Sequence, residues 1–151
     1  MVAVALRHHL LSIPGVQQIV VERVYFQNAP PLVPGNVQQT NTQIPYVVFY
    51  RIGTPRDRHL RGATGLTSPR WQFTLYGFDA TVLETLATAI RLGLDTKRNY
   101  DMGPVGSQVN VRSAILEDER DGYEAPVHGE QTGLYRKDLD FIIWHTETVP
   151  T

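Results

Sequence analysis

Five acidic side chains and one basic one crowd the stretch Glu117-Asp118-Glu119-Arg120-Asp121-Gly122-Tyr123-Glu124. Carboxylates at this density can hold a divalent cation, end a strand in water, or form one half of a protein contact. A calcium loop spaces its oxygen ligands and turns at an internal glycine. Glu117, Asp118, Glu119 and Asp121 are nearly contiguous instead. On an extended chain, alternation places Glu117 and Glu119 on one side and Asp118 on the other. Metal-assisted hydrolysis needs carboxylates that converge on the ion. Asp138 and Asp140, on a paired strand, could supply a second pair. Glu117, Asp118, Asp138 and Asp140 are therefore the one grouping that reads as a small metal-dependent hydrolase. No lysine or histidine motif accompanies it, so it stands as the remote alternative.

Other chemistry finds less support. His8 and His9 are adjacent on a helical segment, whereas two ligands on one helix face need a spacing of four. His59, His128 and His145 are scattered, and Ser68, Ser107 and Ser113 lack a nucleophile-elbow setting. Gly62-Ala63-Thr64-Gly65 is not followed by Lys-Ser/Thr and precedes a strand, so it is no phosphate loop. The chain has no cysteine, which excludes thiolate catalysis and disulfides and fits a reducing compartment. No signal peptide is read at the N-terminus, and no apolar run approaches membrane-spanning length.

The charge is split along the chain. Up to Arg112 there are 11 bases and 6 acids; from Ser113 onward there are 3 bases and 9 acids. Twelve of the fourteen bases are arginine, the residue suited to paired contacts at interfaces. Arg56, Arg58 and Arg61 sit in a basic hairpin loop over 53–70. Nucleic acid could pass along such a loop, but a slightly acidic protein without a recognition helix or stacking platform does not read DNA sequence. The simpler account sets Arg56, Arg58 and Arg61 against Glu117, Asp118, Glu119 and Asp121 across a contact between chains. Head-to-tail contacts of this kind close into rings when the rotation allows.

The elements that must position these groups follow from periodicity. Ala3, Leu6, Leu10 and Leu11 give an N-terminal helix that stops before Pro14-Gly15, and a short turn follows with Val16, Ile19 and Val20 as anchors. Arg23 to Phe26 reads as a brief strand. Residues 27–44 form a long uncharged segment rich in Gln and Pro, an arm suited to ordering against a partner. Pro45 to Gly53 and Arg70 to Phe78 are strands. Asp79 opens a helix that runs to about Leu94, with Thr81 and Glu84 as an alternative capping pair. Thr96 to Gly106 reads as loop. Val109 to Leu116 and Leu134 to His145 pair as a hairpin whose connection carries the acids. The fold class is α+β: one domain over 1–151, with an antiparallel sheet of about four main strands and two helices packed on one face.

Ile13-Pro14-Gly15-Val16, Glu22-Arg23-Val24-Tyr25, Ile44 to Ile52, His59 to Leu66, Leu116 to Glu124, Gly133-Leu134-Tyr135-Arg136 and Leu139 to His145 follow one another in a characteristic order. In that order the chain resembles the tail-completion family, the tail-terminator and head–tail joining proteins of long-tailed bacteriophages and gene-transfer particles. The match spans nearly the whole chain, and the arm from Asn28 to Gln43 is longer than in the family. The resemblance implies a non-enzymatic structural protein of the virion, with no catalytic residue, no metal and no cofactor, that assembles in the host cytoplasm. It implies a hexameric ring of identical subunits that caps the tail tube and ends its polymerisation. Its partners would be the major tail tube protein and a head-side connector or stopper, with DNA only as cargo through the lumen. Another neck component, a stopper or connector ring, is the alternative.

Overall fold

A computed structural model describes residues 2–28, 44–60, 62–125 and 133–147, with the backbone alone at 57–59 and 63. Most of the uncharged arm and Arg61 lie outside the described residues.

The chain opens with α1 (Val2–Ser12) and α2 (Pro14–Val20). Pro14 ends the first helix and starts the second, because its fixed φ and missing N–H suit the first helical position. The turn expected at 14–20 is thus a short helix. Short β1 (Val24–Phe26) pairs in parallel with β2 (Tyr46–Gly53). The basic loop is largely strand: β3 (Arg56–His59) and β4 (Gly62–Thr67) form a hairpin that leads into β5 (Arg70–Gly77). Helix α3 (Ala80–Leu94) follows, capped by Asp79, whose carboxylate accepts from the Thr81 N–H at 2.9 Å. Strand β6 (Arg98–Met102) occupies part of the expected loop and pairs with β7 (Val109–Glu124). Last comes β8 (Leu134–Thr146).

The α+β class holds, but the described residues form eight strands and three helices rather than about four and two. The sheet is mixed, because β1 runs parallel to β2 while the other pairs are antiparallel. The acidic stretch is not a connection. It continues β7, paired residue by residue with β8 from Asp118 opposite Asp140 to Glu124 opposite Leu134.

Strand β8 is the hub. On one side it pairs with β7; on the other it pairs with β5 through Ile142 and with β4 at His145 and Thr146. All three helices feed one core against this sheet. Leu6, Leu10, Val16, Leu86 and Ile90 meet Phe49, Trp71, Phe73, Phe141 and Ile143, all buried. Fully burying one such side chain contributes about 1.5–3 kcal/mol. Phe73 stacks on Phe49 and meets Phe141 edge-on, with ring centroids 5.7 and 5.5 Å apart. The α1–α2 corner locks onto α3 at Gly93. A Cβ there would overlap the Ile13 side chain, and the Gly93 carbonyl contacts His9 Nε2 at 2.8 Å.

Register fixes what lies at each end of the sheet. Gly77, Glu124 and Tyr135 share one end. Leu66 pairs with Thr146 at the other, where the β3–β4 hairpin begins. The 13 residues of β8 separate the two ends by about 40 Å at ~3.3 Å per residue.

Candidate functional site

A bulge divides the acidic stretch. Between Leu116 and Asp118 the β7–β8 register shifts by one residue, and Glu117 is the extra one. Asp95, just past α3, accepts from the Leu116 N–H at 2.9 Å and ties the bulge to the helix. Strict alternation would have paired Glu117 with Glu119. The bulge instead joins Glu117 to the network of Asp118, while Glu119 goes with Asp121.

Two ion clusters result, opposite in sign. In the first, Asp140 is buried at the centre, with its side chain 3 % exposed. Arg120 reaches both its oxygens at 3.0 and 3.2 Å, and Arg70 reaches one at 2.9 Å. Arg70 also pairs with Glu117 at 3.1 Å, and Arg120 with Asp118. Burial on its own raises the pKa of Asp140, but the two guanidiniums outweigh it and hold the carboxylate below its ordinary value. The hydrogen bond to Asp140 correspondingly raises the pKa of each arginine. Next to this cluster, Thr74 donates to the buried Asp138 at 2.9 Å.

In the second cluster the buried group is a base. The Lys137 side chain is 4 % exposed and meets three carboxylates: Glu84 of α3 at 2.6 Å, Asp121 at 2.9 Å and Glu119 at 3.1 Å. Burial alone lowers the lysine's pKa; its hydrogen bonds to Glu84, Asp121 and Glu119 more than reverse this and raise it. All three acids reach solvent, Asp121 most of all at 81 %. They outnumber the single ammonium they surround, so this corner carries surplus negative charge. Beside it, Arg136 is matched by Glu124 at 3.5 Å and Asp138 at 3.6 Å.

A cleft of about 490 Å3 opens at the second cluster, between the first turns of α3 and the far end of the β7–β8 ladder. Its walls are mainly apolar, from Ala80, Leu83, Tyr123 and Tyr135, and Glu84, Asp121, Arg136 and Lys137 are charged groups in its lining. The two tyrosines lie with ring centroids 4.9 Å apart and remain 56 % and 39 % exposed.

The basic hairpin sits at the other end of the sheet. Arg56 pairs with Glu147 at 2.9 Å, while the Arg58 side chain and Arg61 lie outside what is described. Leu60, at the turn, is fully exposed. Among the described residues, the basic hairpin and the acidic stretch do not meet within one chain. Each acid singled out from sequence has a base nearer at hand: Arg70, Arg120, Arg136 or Lys137. Those bases were not singled out, although the opposite-charge registers Arg120–Asp138 and Asp121–Lys137 follow once β7 and β8 are paired through the acids. Glu117, Asp118, Asp138 and Asp140 are not left facing one another, because arginines stand between them. Among the described residues no group of three or more His, Asp or Glu side chains is arranged to hold a metal ion, and no helix is long and apolar enough to cross a membrane.

No family model and no curated protein matches the sequence. Solved structures do match in shape. The chain is similar to one from the virion of a native gene transfer agent particle, with a TM-score of 0.62 at 13 % identity, over 95 % of this chain and 92 % of that one. At that identity the likeness is one of fold.

Proposed function

We propose that this protein is a structural subunit of a phage-like virion, and that it acts at the neck as a tail-terminator ring. The observation that carries the reading is the nearly full-length shape match to a gene-transfer-agent virion chain, in both directions of coverage. The order of sequence blocks that resembles the tail-completion family points the same way. Identical copies, six on that resemblance, close into a ring. One face stacks on the last tube ring and ends polymerisation; the other receives the head-side connector, and DNA passes through the lumen. A head-to-tail ring joins two different patches of each subunit. No catalysis is assigned: the carboxylates that suggested a hydrolase, Glu117, Asp118, Asp138 and Asp140, are engaged by Arg70, Arg120 and Arg136.

Electron microscopy of particles made without this protein tests the reading. Overlong tails lacking heads are expected. Tails of normal length beside heads that leak DNA would instead assign it to a stopper ring on the head side.

A further inference from the structure

We infer that the edge of β7 at Asp121 and Tyr123 takes up an extended, basic segment of a different protein as an added strand. The inference goes beyond the neck reading and does not depend on it.

Backbone geometry carries it. The Ile143 N–H donates to the Pro69 carbonyl on the β5 side, so by alternation the even-numbered residues of β8 exchange bonds with β7. Asp118, Arg120, Gly122 and Glu124 therefore face β8, and Glu119, Asp121 and Tyr123 turn their N–H and C=O groups outward. Nearer the bulge this edge is closed. Ala114 exchanges bonds with Lys97 and Thr96, at 3.1 and 2.8 Å. Asp95 takes the Leu116 N–H, and the Asp118 carboxylate takes the Glu119 N–H. The β1 edge is closed too: Arg7 donates to the Val24 carbonyl at 2.9 Å, and the Asn28 N–H donates to the Phe26 carbonyl. Among the described residues nothing takes the outward N–H of Asp121 or Tyr123. An open edge of this kind adds an extended chain through main-chain hydrogen bonds.

Charge selects the chain. From 118 to 124 the edge strand carries Asp118, Glu119, Asp121 and Glu124 against Arg120 alone, and Arg120 is engaged by Asp118 and Asp140. Arg136 and Lys137 lie one strand further in, on β8, so an added strand meets the acids first. Opposite charges in cross-strand register favour pairing, and like charges oppose it. A second β7 would set the acids of two copies against each other. Charges and bulges ordinarily blunt an edge; here the Glu117 bulge limits its length, and charges of one sign admit basic strands while refusing acidic ones. Glu119 and Asp121 point to the helix side, where both reach Lys137. The fitting segment has bases at two alternate positions on that side and an apolar residue beside Tyr123, which lines the cleft.

A labelled peptide of alternating lysine and threonine probes the edge of the full-length protein. Fluorescence anisotropy should show it binding, and its glutamate–threonine counterpart should not bind. Tyr123→Pro removes the outward N–H and no bond to β8, and should weaken binding about ten-fold, the effect of one lost hydrogen bond. Tyr123→Ala removes the ring, keeps the N–H and should bind more tightly than the proline variant. Amide exchange in the unsubstituted protein gives a second readout. The Asp121 and Tyr123 amides should exchange fast in the free protein and slow when peptide is added, while Gly122 and Glu124 stay slow throughout. No binding of the lysine–threonine peptide, equal weakening by proline and alanine, or unchanged exchange at Asp121 and Tyr123 overturns the inference. A multimer of the unsubstituted protein that Tyr123→Pro alone dissolves overturns the choice of partner and gives the edge to a second copy. Tail length, which tests the neck reading, is measured separately from all of these.

Discussion

The two ion clusters are near mirror images, and they behave differently because of where their majority charges lie. In one, a buried carboxylate is clasped by two arginines, and those arginines are in turn matched by Glu117 and Asp118. Its charges are largely satisfied within the sheet. In the other, a buried lysine is clasped by three acids that all reach water, and no other described base pairs with them. The first cluster is inward-looking and holds the β5–β8–β7 face together. The second presents a net charge to whatever approaches. Counting acids along the sequence merges the two; the bulge at Glu117 separates them.

If this contrast is right, breaking the centres should have unequal effects. Asp140→Ala leaves two guanidiniums around a buried void, and losing one partner of a buried pair costs about 3–5 kcal/mol. Both arginines are some 40 % exposed and regain water, so the expected loss is about 3 kcal/mol in urea unfolding. Lys137→Met keeps most of the apolar stem and frees three acids that are already hydrated. Its expected cost is about 1 kcal/mol, near that of exposed pairs. Equal losses for the two variants would erase the distinction.

Acid and base titration should sharpen it. Asp140 has its pKa lowered below 3.8, so its contribution is intact above that value and fades as pH falls through the folded-state pKa. Lys137 has its pKa raised above 10.5, so its contribution is complete below 10.5 and fades as pH rises through the folded-state pKa. Unfolding temperatures followed against pH should therefore show Asp140→Ala flattening the acid limb alone and Lys137→Met the alkaline limb alone. His9 adds a third signature between them. Burial against α3 lowers its pKa below 6.5, so the stability it confers is lost as pH falls from about 6.5 through the folded value; His9→Gln should remove that step. The smallest effect belongs to the hairpin. Arg56→Ala breaks a pair with Glu147 in which both side chains touch solvent, and it should shift stability by under about 0.5 kcal/mol.

The sequence announced whatever had a strong apolar period. The first helix, β2, β5, α3 and β8 fall close to where Leu6/Leu10, Tyr46–Ile52, Trp71/Phe73/Leu75, the Leu83–Leu94 stripe and Phe141–Ile143 put them. What it concealed was structure held by charge or by context. The acids of β7 resemble a connection because nothing in a run of Glu and Asp signals burial. They are strand because β8 supplies Lys137, Asp138 and Asp140 opposite them, and Arg120 bridges the like-charged register of Asp118 and Asp140. Strands β3, β4 and β6 have at most six residues each and little apolar alternation. Helix α2 was hidden because Pro14-Gly15 looks like a breaker, although proline is at home in a helix's first turn. The candidate site was half legible: the acids and the arginine hairpin were visible. Lys137 and the cleft depend on a helix and a strand meeting from opposite parts of the chain.

The central position of β8 also bears on the order in which the molecule can form. Among the described strands it is the last in sequence, and β5 and β7 each pair with it and not with one another. A chain still emerging from the ribosome can make α3 and the β2–β5 hairpin, but it has no sheet to close until residues near 146 are released. Such a precursor lacks both the ladder that builds the cleft and the strand that anchors the hairpin root. Until that last described strand is available, the two halves of the sheet stay unjoined and their apolar faces uncovered.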